Sequence, residues 1–118
     1  MSQRKYTIAV DFDGVLHSYT SPWVDYHVIP DAPVEGAIQW LTRMRPWFKV
    51  VIFTTRGRTE AGRAAVAAWL NEHGYPAKET DVTSQKPTAL IYIDDRGYRF
   101  DGTFPDAQMI HKLKPWNK

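Results

Sequence analysis

Ile8-Ala9-Val10, followed by Asp11-Phe12-Asp13-Gly14, is the stretch from which the rest of the chain is read. Three apolar residues make a short buried strand, and its carboxyl end delivers two aspartates and a glycine to the crevice where open α/β sheets hold their ligands. Residues two apart on a strand share a face, so Asp11 and Asp13 start on the same side before the chain turns at Gly14. Like charges at that spacing raise each other's pKa unless a cation or a proton separates them. The pattern calls for either a divalent metal or a division of roles, with one acid ionised and the other carrying a proton.

Working outward, Val50-Val51-Ile52-Phe53 is a second apolar run of the kind buried on both faces of a parallel sheet, and it ends in the basic turn Thr54-Thr55-Arg56-Gly57-Arg58. A third run, Leu90-Ile91-Tyr92-Ile93, ends in Asp94-Asp95-Arg96-Gly97. Pro30-Asp31-Ala32-Pro33 opens a helix with Ile38, Leu41, Thr42 and Met44 facing inward, ending near Pro46. A second helix from Thr59 carries Ala65, Val66, Trp69, Leu70 and His73 at helical spacing and stops at Gly74. Two β-prone runs around Ser21-Pro22-Trp23 suggest a small β-hairpin flap over residues 17–29, beside the aspartates. Short strands at Asp81-Val82 and from Tyr98 to Phe100 are expected, with a terminal helix from Pro105 burying Met109, Ile110 and Leu113. Strand alternating with helix predicts an α/β fold, a Rossmann-like parallel sheet of about five strands flanked by helices with right-handed crossovers. Residues 1–118 read as a single domain of a size that supports one core.

No apolar stretch approaches the ~20 residues needed to span a bilayer, and Met1-Ser2-Gln3-Arg4-Lys5 runs directly into strand-like sequence, so a cytoplasmic protein with no membrane partner is expected. The chain has no cysteine, which excludes disulfides, thiolate catalysis and zinc–thiolate sites. Its 15 Lys+Arg and 13 Asp+Glu give a net charge of +2. Setting aside Asp11, Asp13, Asp94 and Asp95 leaves 15 against 9, a basic surround that favours an anionic substrate reaching an acidic centre.

In a parallel sheet the three strand ends lie on one edge, so four carboxylates, two hydroxyls and the arginines converge there. Such a cluster suits Mg²⁺, which takes oxygen ligands and keeps waters for a phosphate to replace. Lys86, nine residues before Asp95, is placed to neutralise the carboxylates and to bind a phosphate oxygen as a point charge. Gly57 to Ala64 is a near-miss of the phosphate-cradling P-loop, with arginine for its lysine and alanine for its hydroxyl residue, and is rejected as one. Asp11 to Pro22 likewise fails as a calcium loop. The four histidines show no ligand spacing, and His73 reads as a helix C-terminal residue. Trp40, Trp47 and Trp69 read as core, whereas Trp23, Tyr19 and Tyr26 are candidates for substrate contact or for packing the hairpin down.

Together these segments resemble the haloacid dehalogenase-like (HAD) phosphohydrolase superfamily. Asp11 to Leu16 resembles its first motif, Val51-Ile52-Phe53-Thr54 its second, Lys86 its third, and Ile91-Tyr92-Ile93-Asp94-Asp95 its fourth. The resemblance implies that Asp11 is the nucleophile, forming an aspartyl-phosphate, while Asp13 protonates the leaving oxygen and later activates water. It implies Mg²⁺ held by the Asp11 carboxylate, the Asp13 main-chain oxygen and an acid of the fourth motif, with Asp95 as direct ligand and Asp94 as helper, or the reverse. Thr54, Thr55 and Lys86 would hold phosphoryl oxygens, and Arg56 and Arg58 would contact the substrate beyond the phosphate. Neither usual insertion point has room for a cap domain, so an open site is expected. Thr54-Thr55-Arg56 and Ile93-Asp94-Asp95-Arg96 also look like the phosphatase half of bacteriophage polynucleotide kinase, which suggests a nucleic-acid 3′-phosphate end or a nucleotide as substrate. The alternatives are a small-molecule phosphatase or 5′-nucleotidase, or a non-catalytic nucleic-acid- or protein-binding module on the same fold.

Overall fold

The computed structural model describes residues 5–113. Four parallel strands, β1 (Thr7–Asp11), β2 (Lys49–Phe53), β3 (Val82–Thr83) and β4 (Ile91–Ile93), lie in the order β3-β2-β1-β4. Helices α1 (Ala37–Met44) and α2 (Glu60–Glu72) pack on the sheet, a short helix α3 (Ala107–Lys112) follows β4, and 3-10 turns occupy Thr55–Arg58 and Glu79–Asp81. β1 is central: Ala9 pairs with Val51 on one side and Tyr92 on the other. Its Ile8, Ala9 and Val10 are buried on both faces, as an unbroken apolar run requires. Ile8 and Val10 join Phe12, Leu41, Ile52, Val66, Leu70 and Val82 in one core. Asp11 lies beside Phe53, and Val10 beside Ile93. The polar residues that follow the three strands therefore leave the sheet on the same edge.

α2 is closed at both ends. The Thr59 side chain accepts a hydrogen bond from the Gly62 N–H at 2.9 Å, with Glu60 in the first turn. At the other end Tyr75 N–H reaches Leu70 O at 2.9 Å and Gly74 N–H reaches Asn71 O at 3.1 Å, the pair of bonds that defines a Schellman stop. His73 follows the last turn, as expected, with Nδ1 2.8 Å from Trp69 O. Among the described residues no helix is long and apolar enough to cross a membrane.

Several sequence expectations are corrected. Residues 18–29 form no hairpin. The loop is pinned where it leaves and rejoins the core, by Ser18 N–H to Ala32 O (2.9 Å) and Val34 N–H to Leu16 O (2.8 Å). Its interior carbonyls bond to an arginine instead of a partner strand, and Pro22 and Pro30 have no N–H to give a ladder. The strand expected from Tyr98 to Phe100 is also absent: the Asp94 carboxylate accepts from Arg96 N–H and Gly97 N–H and turns the chain away. The sheet thus has four strands among the described residues, and α3 finds no further strand to cover. Met109, Ile110 and Leu113, expected to be buried, are about half exposed. Trp47 is 72% exposed, because the turn in which Trp47 and Phe48 both donate to Met44 O sends Phe48 inward instead. Thr42 faces solvent and bonds back to Ile38 O at 2.9 Å.

Candidate functional site

The carboxyl edge of the sheet opens into a cavity of about 310 Å³. Asp11, Asp13 and Asp95 bring carboxyls to it, and Thr54 and Thr55 bring hydroxyls. Tyr19, Trp23 and Arg96 complete the wall. Gly14, at φ 85°, allows the approach of Asp95, since a Cβ there would run into the Asp95 carboxylate.

Asp11 and Asp13 sit in opposite electrostatic settings. Burial is the largest influence on Asp11. With the charges of Asp95 and Asp13 and a hydrogen bond shared with the Asp95 carboxyl, it pushes Asp11 up to about 7, against the pull of the Phe12 N–H that donates to Oδ1 at 2.8 Å. Burial would also raise Asp13, but hydrogen bonds from His17 and Arg56 and the arginine's charge outweigh it and hold Asp13 below the ordinary carboxylate range. Arg56 Nε donates to Asp13 Oδ2 at 2.9 Å, and its Nη2 to Oδ1 at 3.1 Å, the forked geometry that suits a carboxylate. His17 Nε2 accepts the Asp31 N–H at 3.0 Å, which assigns the ring proton to Nδ1, 2.8 Å from Asp13 Oδ1. The ring is fully buried, stacked on Phe12 and edge-on to Trp69.

Arg56, expected to reach the substrate, is instead 1% exposed. Besides Asp13, its Nη1 donates to the carbonyls of Asp25 (3.1 Å), Tyr26 (2.9 Å) and Val28 (2.9 Å). Its guanidinium carbon lies 4.6 Å from the centroid of the Trp23 ring. Arg56 ties the acid to the loop, with Nε and Nη2 bonded to Asp13 and Nη1 to the loop carbonyls. Arg58 is exposed at the end of the 3-10 turn and does not line the cavity.

Lys86 does not line the cavity of Asp11, Asp13 and Asp95. It borders a separate cavity with Phe53 and Asp94, its Nζ 4.6 Å from the Tyr92 ring centroid. Asp94 stays with it, its carboxylate used in the turn to Arg96 and Gly97, so Asp95 is the fourth-strand acid that faces Asp11. Thr54 is buried and its Oγ1 accepts the Arg56 N–H at 3.2 Å, which leaves its one O–H donor for a ligand; Thr55 is exposed at the rim. Sequence reasoning missed His17 and Arg96. The first was signalled by its position four residues after Asp13, across a glycine turn, and the second by following the acidic strand end directly.

Among the described residues no three acids or histidines are grouped tightly enough to enclose a metal ion. The smaller set present still fits a hard cation. Two carboxyls, Asp11 and Asp95, line one partly open cavity, and the Asp95 charge together with burial raises Asp11, the repulsion that a divalent ion between them would relieve. Mg²⁺ accepts such a sparse oxygen set because it retains waters. The Asp13 carboxylate, bonded to Arg56 and His17, is turned to other work. No protein-family model matches this chain, and no curated protein or solved structure matches it.

Proposed function

We propose that this chain is a Mg²⁺-dependent phosphomonoester hydrolase of the HAD type, acting through an aspartyl-phosphate on a nucleotide or a nucleic-acid 3′-phosphate end. The observation that carries the proposal is the pairing of the Asp11 and Asp95 carboxyls beside the Thr54 hydroxyl, in one cavity at the carboxyl edge of a parallel sheet. The resemblance of the four segments to the HAD motifs supports it and supplies the covalent step. Asp11 and Asp95 would hold the cation, which when bound supplies charge to screen the phosphoryl oxygens and to keep Asp11 ionised.

An Asp11 carboxylate oxygen attacks phosphorus, the bond to the ester oxygen breaks, and that oxygen leaves with a proton given up by the protonated form of Asp13. Water then attacks the aspartyl-phosphate, releasing inorganic phosphate and restoring Asp11. Thr54 donates its hydroxyl proton to a phosphoryl oxygen, and Arg96 at the cavity wall pairs with another. Asp13 is well suited to taking the proton from the attacking water, because Arg56 and His17 stabilise its ionised form. The same bonds make it a reluctant acid in the first step, so esters with poor leaving groups should be cleaved slowly.

A volume of about 310 Å³ is at the low end for small-molecule pockets, which favours a mononucleotide or another small phosphate ester as the second reading over a long polynucleotide. The test is phosphate release from a 3′-phosphorylated oligonucleotide, a mononucleotide and an aryl phosphate, with Mg²⁺ or EDTA. Release that needs the metal and disappears in Asp11→Asn is expected. Turnover retained by that variant, or no release from any of the three esters, would overturn the proposal.

A further inference from the structure

We infer that Trp23 and Tyr19 form a preorganised subsite for a flat ring, such as a nucleobase, carried by the group to which the phosphate is attached; this rests on the phosphomonoesterase reading given above. Both rings wall the cavity that holds Asp11 and Asp95. Trp23 is 43% exposed, so the fold does not use it as a core residue. It is not needed to hold the loop either. Residues 18–29 are already fixed by Ser21, whose hydroxyl and N–H donate to Asp31 at 2.6 and 2.8 Å, and by the three carbonyl bonds of Arg56.

The indole is nonetheless braced by two neighbours. The Arg56 guanidinium backs it at 4.6 Å from the centroid, and the Tyr26 ring meets it edge-on at 5.4 Å and 80°. A large aromatic surface braced from behind and partly open to solvent offers stacking area, and any base has a face to use. Tyr19 adds an independent sign. It is the only non-glycine among the described residues with positive φ, at 53°, a region bulky side chains avoid unless the surroundings impose it. That conformation places its ring against His17, at 6.1 Å between centroids, on the cavity wall. Arg56 becomes the residue that sets the wall's distance from the acids, since one guanidinium bonds both Asp13 and the loop.

The test compares binding, by calorimetry with Mg²⁺ present, of a nucleoside phosphonate and the abasic sugar phosphonate of the same stereochemistry. Their P–C bonds do not hydrolyse, so the comparison does not depend on turnover. The nucleoside ligand should bind about tenfold tighter or more. Trp23→Ala should bring the ratio near one, and Trp23→Phe, which keeps a flat ring, should restore most of it. Equal affinities in the parent chain, or a ratio indifferent to Trp23→Ala, would overturn the subsite even if phosphate release is observed. A ratio that holds while no ester is hydrolysed would leave the subsite standing and remove the hydrolase reading.

Discussion

At the scale of single residues, Asp11 and Asp13 differ through their neighbours and not through their own chemistry. Asp11 faces another carboxyl, whereas Asp13 faces a guanidinium and an imidazole N–H. The pH dependence of stability follows with opposite signs. An unfolded Asp11 loses its proton near pH 4 and the folded one near 7, so between those values the folded state holds more protons and stability falls as pH rises. Asp13 has a lowered folded value, so its contribution is present above pH 4 and is lost only as pH falls below it. The melting temperature of EDTA-treated protein should therefore decline from pH 5 to 8. Asp11→Asn should remove most of that decline, raising Tm at pH 8 and hardly altering it at pH 4; a flat profile in the parent would refute the acid pairing. Arg96 lines the cavity and Lys86 does not, so Arg96→Ala should raise KM for a phosphoester about tenfold, the worth of one charge-assisted hydrogen bond. Lys86→Ala should raise it less, and the reverse order in steady-state kinetics would restore Lys86 to the phosphate. The two aspartates were legible in the sequence as a pair requiring a cation or a proton. Which of them keeps the proton was not, because Arg56 lies 43 residues from Asp13 and no local pattern joins them.

At the scale of elements, the parts with a strong local code were read correctly. α2 was placed from Thr59 to Gly74 by its cap and stop residues, and β1 and β2 by continuous apolar runs. The segment from 17 to 29 was misread because β propensity says nothing about where carbonyls find donors, and here they find a side chain from across the sheet. The 3-10 turn that supplies this side chain is itself seated by a close backbone approach. A Cβ on Gly57 would come within 2.6 Å of the Thr83 carbonyl carbon and 2.7 Å of Ser84 N. Gly57→Ala should push the turn off β3 and displace Arg56 with it, costing roughly 1–3 kcal/mol of stability and lowering kcat more than it raises KM. Denaturant unfolding and steady-state kinetics would check this. An alanine variant with unchanged stability would mean that the turn and β3 part without consequence.

Across the whole molecule, one core is shared between the sheet, α1 and α2, and it thins towards β4. Leu70 is fully buried, whereas Ile110 on α3 is 56% exposed. Leu70→Ala should lose about 2–5 kcal/mol, and Ile110→Ala should stay within about 0.5 kcal/mol; urea melts of the two variants would locate the edge of the cooperative unit. Periodicity could not anticipate this boundary, since the apolar residues of α3 recur at helical spacing whether or not a strand lies beneath them. Arg56 reaches across this architecture, joining an acid after β1, a turn after β2 and a loop that belongs to no regular element. If every position were replaced in turn and the library selected for activity, Arg56 would be among the positions least tolerant of change, alongside Asp11. Lysine would serve no better than alanine, because a single ammonium cannot fork onto a carboxylate while reaching three carbonyls. In such a map this arginine would pass for a substrate contact, although what it holds in place is the protein itself.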